Sequence, residues 1–274
     1  ITQQTALATA GAAGAGEGLY VDDVFSTYLY DGTGSAQTIT NGIDLSGEGG
    51  MVWIKTRSHT DSHSLFDTER GATYYLKSDT SDNQYQANSA LSAFNSDGFS
   101  LGGGDAPTNG SGRTLTSWTF RKAPGFFDVV TYTGTGTART VAHSLGSVPG
   151  TIIVKRTNTA SSWYVYHRSL GATKEIRLNT TSAANTSSIY WNDTEPTSSV
   201  FTVGTSAGVN GSGDTYVAYI FAHDDQSFGE NGDESIIKCG TYTGNGSSQE
   251  IDLGFEPQWV TIKVSSGETG NWYQ

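Results

Sequence analysis

The stretch YDGTGSAQTI, Tyr30 to Ile39, returns as YTGTGTARTV from Tyr132 and as YTGNGSSQEI from Tyr242. A Gly-x-Gly turn that cradles a dinucleotide follows a parallel strand and opens a helix. Here the flanks are rich in Thr, Val, Ile and Tyr on both sides, so each decapeptide reads as a turn between two strands. The glycines are then expected to supply the positive φ that tight hairpins require. The rest of the chain keeps the same register. MVWIK (51–55) matches TIIVK (151–155), RGATYYL (70–76) matches LGATKEI (170–176), and NGSG recurs at 109 and 210. SWTF (117–120) matches AYIF (218–221). The unit is about 100 residues long, well beyond solenoid periods.

Within each copy, short runs of β-branched and aromatic residues alternate with Gly/Asn/Asp/Ser clusters, about eight strands per copy. No segment has a helical apolar period. The expected fold is all-β: tandem antiparallel β-sandwich repeats of the jelly-roll or lectin-like class. Residues 1–18 read as a flexible connector or stalk, 19–128 as the first repeat, 129–235 as the second, and 236–274 as the start of a third. The copies are expected to be strung as beads, each marginal unless neighbours or subunits pack on it. Alternation in WYVYHRS places Trp163, Val165 and His167 on one face and Tyr164, Tyr166 and Arg168 on the other. Ile1 is not an initiator Met, so the chain is expected to begin inside a longer polypeptide.

The 274 residues carry a formal net charge of −12 and only 15% charged side chains. Nucleic acid is not an expected partner, because a phosphate backbone demands positive charge. No apolar run reaches the ~20 residues of a transmembrane helix, and no membrane insertion is expected. Cys239 is the single cysteine and occupies the repeat position of Val129, which points to a small buried hydrophobe rather than a reactive thiol.

Several residues have the types that chemistry uses. Asp67 and Glu69, two apart on a strand, would lie about 6.6 Å apart on one face, within the range of paired glycosidase carboxylates. The second copy has His167 and Ser169 there, so the pair reads as charges on the solvent face, bridged to Arg70. His59 and His63 suit a shared metal only on a helix; in an extended segment they stand about 13 Å apart. Asp-rich turns at 95–105 and 223–227 offer calcium-type oxygens without EF-hand spacing, and Asx turns account for both. The six Asn-x-Ser/Thr sequons, at Asn109, Asn179, Asn185, Asn192, Asn210 and Asn245, match chance in a chain of this composition. No catalytic group, cofactor or metal site is expected. Trp191, in Trp191-Asn192-Asp193, is the candidate aromatic platform for a glycan.

The runs Leu65-Phe66-Asp67-Thr68-Glu69-Arg70-Gly71 and Phe120 to Val130 (FRKAPGFFDVV) resemble a repeat domain of tail-fibre and other virion structural proteins of marine and cyanobacterial phages. The similarity covers about residues 19 to 274, with both motifs worn down in the second copy. The resemblance implies a virion location, partners among other tail or capsid proteins, a homotrimer, and a role in assembly and host attachment. Two other roles stay open: a carbohydrate-binding module with a defined glycan site, and a capsid decoration or fibre protein.

Overall fold

A computed structural model describes residues 18–273. The first copy contains β1 (Phe25–Asp31), β2 (Gln37–Thr40), β3 (Gly50–Thr56), β4 (Ser64–Asp67), β5 (Tyr74–Leu76), β6 (Tyr85–Gln86), β7 (Leu91–Asn95), β8 (Gly98–Leu101) and β9 (Thr114–Arg121). A single helical turn, α1 (Val21–Val24), precedes β1, and another, α2 (Ala106–Asn109), precedes β9. Then come β10 (Phe127–Thr133), β11 (Arg139–Ala142), β12 (Thr151–Arg156), β13 (Trp163–His167), β14 (Lys174–Arg177) and β15 (Asn185–Thr186). The second copy closes with α3 (Ser188–Trp191), β16 (Val200–Val203), α4 (Ala207–Asn210) and β17 (Thr215–Phe221). After them, β18 (Ile262–Lys263) and β19 (Trp272–Tyr273) pair in the stretch where the sequence leads one to expect the start of a third copy. The connector expected over 1–18 lies outside the described residues except for Gly18.

The architecture is all-β and antiparallel. The large sheets have the orders β1-β9-β3-β4-β5-β6 and β10-β17-β12-β13-β14-β15, the same path taken twice. A small sheet covers one face of each: β2-β8-β7 in the first copy, β11-β16 in the second. Where the first copy has β7, the second has the helical turn α3.

The copies are not beads. Along β3, Val52 and Ile54 point to the small sheet and join Ile39, Phe66 and Phe99 in the first copy's own core. Met51 and Trp53, on the other face, share a single cluster with Ile153, Val165, Val217 and Tyr219 of the second copy. In β17, Tyr216, Ala218 and Ile220 serve the second copy's core, while Val217, Tyr219 and Phe221 face the first copy. The large sheets therefore face one another across a shared apolar seam, and each carries its own core and small sheet on its other face. Phe120 and Phe221, at matching positions, meet at 5.5 Å between ring centroids. Strands buried on both faces read as unbroken apolar runs, which is the form of MVWIK, TIIVK and AYIF.

The opening decapeptide also needs correction. β1 pairs with β9 and β2 with β8, so the Tyr-x-Gly-x-Gly turn carries the chain between two sheets and closes no hairpin. Only the second glycine takes positive φ, +71° at Gly34 and +74° at Gly136. The first is needed for close approach: a Cβ on Gly32 would stand 2.1 Å from the Gly110 carbonyl oxygen, and one on Gly134 2.2 Å from that of Gly211. The turn is clasped by the Asn of NGSG. Asn109 Oδ1 accepts from the Thr33 amide, and its Nδ2 donates to the Ser35 and Gly102 carbonyls. Asn210 repeats this with Thr135, Thr137 and Gly204. Both asparagines are fully buried, so neither sequon can accept a glycan in the folded chain.

Candidate functional site: the seam between the copies

Asp67 ends β4 and is wholly buried, in contrast to the solvent-face position expected from the sequence. Its Oδ2 pairs with Arg70 Nε at 2.6 Å and accepts from the Tyr219 hydroxyl at 2.8 Å. Arg70 Nη2 donates to the Leu65 carbonyl and to the Tyr219 oxygen, so the triad spans both copies. Burial and the Asp67 carboxylate push the Tyr219 hydroxyl well above its ordinary pKa, while the Arg70 guanidinium pulls the other way. Glu69 lies in the turn after β4 rather than on it and pairs with Lys122 at 3.0 Å. Lys122 also reaches Asp128, on β10, at 3.3 Å. The two carboxylates thus face different partners and do not converge.

Above the triad a cleft of about 340 Å³ opens between the copies. Arg70 and Gln84 line it from the first copy; Thr131, Thr133, Thr157 and Thr215 line it from the second. Arg70 Nη1 is buried without a hydrogen-bond partner. Nearby Lys155 is also buried, and burial lowers its pKa to about 8. Its Nζ donates to the Arg156 and Ser81 carbonyls. The sequence reading missed this cleft. A signal existed in the Thr-x-Thr spacing of β10, which sets Thr131 and Thr133 on one face.

Trp191 is not a platform. It is 2% exposed, because α3 turns it into the second copy's core, where it meets Tyr166 edge-on at 6.1 Å. His63 Nδ1 accepts from the Trp53 indole at 2.8 Å, while His59 contacts Ser58. No cluster of three His, Cys, Asp or Glu side chains able to hold a metal occurs among the described residues. In the Asp-rich turns, the Asp97 carbonyl accepts from Asn41 and Gly42, and Asp105 accepts from Thr108. Cys239 is half-buried, with its thiol pKa raised by burial, and Thr151 donates to its sulfur.

Burial, with the Lys55 charge adding to it, lowers the His63 pKa to about 4. The unfolded chain, with His near 6.5, then binds the proton more readily than the folded one. The contribution of His63 is complete above about pH 6.5 and falls away toward pH 4. The melting temperature should therefore drop across that window, and His63→Gln should flatten part of the drop. An unchanged slope in the variant would contradict the assignment. His143 and His167 are lowered by burial too and add to the drop in the same direction.

The geometry defines an all-β sandwich protein in which Tyr219 of the second copy bonds the buried Asp67–Arg70 pair of the first. The chain belongs to the family described as a domain of unknown function (DUF7483), which it matches over residues 21–274. Neither a curated protein nor a solved structure matches it. No described helix is long and apolar enough to cross a membrane.

Proposed function

We propose that this chain is a non-catalytic structural segment of a phage virion appendage, most simply a tail fibre that serves assembly and host attachment. One observation carries this reading. The Asp67–Arg70–Tyr219 triad, which holds the best-placed acid of the sequence, is consumed in locking one copy to the next. An acid–base site would need that carboxylate free and a second group within hydrogen-bond reach of the same reacting atom. The motifs at 65–71 and 120–130 that resemble virion repeats are the elements forming the seam, which supports a mechanical role. Partners would be other tail or capsid proteins, and the homotrimer implied by the resemblance is part of the proposal. Antibody labelling of intact particles, together with the mass of the purified chain by sedimentation, tests it. Label on an external appendage and a trimer mass support the reading, and label absent from particles contradicts it. A capsid decoration protein would instead place label over the shell.

The cleft favours a second reading as a carbohydrate-binding module. Hydroxyl, amide and guanidinium groups converge there, the donor set that recognises sugar hydroxyls. Incubation with host surface polysaccharide separates the cases. Retention without new reducing ends, abolished by Thr215→Trp in the cleft mouth, supports binding. New reducing ends lost in Glu69→Gln would establish hydrolysis.

A further inference from the structure

The seam between the first and second copies is built again between the second and the third. Trp163 Nε1 donates to the Lys77 carbonyl at 3.0 Å, and Trp272 Nε1 to the Arg177 carbonyl at 2.8 Å. Lys155 Nζ reaches the Ser81 carbonyl, and Lys263 Nζ that of Thr180. The Gln84 amide donates to the Thr157 carbonyl, and the Ala184 amide to that of Ser265. Ser161 and Gly270 donate in turn to the carbonyls of Ser81 and Thr181. The strand pairing agrees, with Lys155 opposite Trp163 and Lys263 opposite Trp272. The first and second copies thus each present an accepting loop, 77–84 and 177–184, and the second and third each bring a donating corner formed by a Lys and an indole. The contact is head-to-tail: a donating corner meets an accepting loop and never its own kind.

Such contacts either run on as a filament or close as a ring. The third copy decides between them, because it does not move away from the first. Trp259 packs on Trp53 and Phe120 of the first copy, at 6.2 and 5.4 Å, and on Phe221 of the second at 6.5 Å. Three copies therefore gather around one aromatic axis. The first copy has its own donating corner, with His63 at the position of Trp163 and Trp118 at that of Tyr219. His63 Nδ1 is occupied by the Trp53 indole, which leaves Nε2–H as the donor of the neutral ring. Trp118 is half-buried and stacks near His63, at 6.4 Å.

We propose that the corner formed by Trp118 and His63 is a docking surface for an accepting loop of a third copy of this repeat, which closes the copies into a three-walled ring. His63 Nε2–H then donates to a loop carbonyl as Trp163 and Trp272 do, and Trp118 is covered as Tyr219 is. The occupant is an accepting loop rather than a second intact chain, because loops 77–84 and 177–184 are already filled. The inference does not rest on a virion role.

The test compares the full chain with the same chain carrying residues 166–235 appended after Gln274, which supplies a third accepting loop. Hydroxyl-radical oxidation of Trp118 should fall several-fold in the lengthened chain, and Trp118→Ala should lower its melting temperature more than that of the original. A peptide of residues 174–187, added to the original chain, gives a second measurement through saturable shifts of the Trp118 and His63 NMR signals, lost in His63→Ala. Protection or shifts at this corner support the closed ring. Unchanged Trp118 oxidation in the lengthened chain together with no peptide shifts overturns it.

Discussion

Replacing Asp67 with alanine is expected to destabilise the protein by about 3–5 kcal/mol, the cost of leaving a buried charge without its partner. The stranded group is Arg70, whose Nε and backbone amide both use the Asp67 carboxylate. Tyr219→Phe should cost less, about 1–3 kcal/mol, since it removes the two hydrogen bonds of the hydroxyl, one donated to Asp67 and one accepted from Arg70, and leaves the ion pair. Asp67→Leu combined with Arg70→Met and Tyr219→Phe should be far milder than Asp67→Ala alone, because an apolar replacement of all three members strands neither a charge nor the buried Tyr219 hydroxyl. Urea unfolding of the four proteins checks the series. A loss below about 1 kcal/mol for Asp67→Ala would show the triad to be solvated.

Asn109→Ala and Asn210→Ala should each destabilise by about 2–4 kcal/mol, because each leaves a turn amide and the Gly102 or Gly204 carbonyl without a partner and takes one of two donors from the Ser35 or Thr137 carbonyl. The Asn109 loss should be the larger, since the clasps share three bonds but Asn109 Oδ1 also accepts from Gln37 Nε2 at 2.7 Å. Asn→Asp should be worse than Asn→Ala at neutral pH. The aspartate keeps the acceptor for Thr33 or Thr135 but presents negative charge to carbonyls that need a donor. Melting curves of the four single variants decide this, and a neutral Asn→Asp would contradict the clasp.

The all-β antiparallel class was legible because period-two runs and turn clusters follow from the pleat itself. The recurrence of NGSG was legible too, but its reason was not. A hydrogen-bonded pairing of residues 33 and 109 leaves no local signature, since either residue alone reads as turn chemistry. Trp191 was misread for a related reason: Trp-Asn-Asp reads as an exposed turn, and the Asn192 and Asp193 φ values of +54° and +49° do place a turn there. The preceding helical turn sends the indole inward. Asp67 looked like surface charge because its partner Tyr219 is distant in sequence. The beads reading overlooked the unbroken apolar runs Met51–Ile54 and Ile152–Val154, which a strand with one wet face would interrupt at every second position.

The central claim is that the copies are one structural body, held by a shared core and not by a tether. Native-state hydrogen exchange on the 274-residue chain measures this strand by strand. Amides of β3 and β9 and those of β12 and β17 should exchange with the same global opening free energy, and Asp67→Ala should lower both sets equally. Two distinct opening free energies, with Asp67→Ala lowering only that of β3 and β9, would contradict the account.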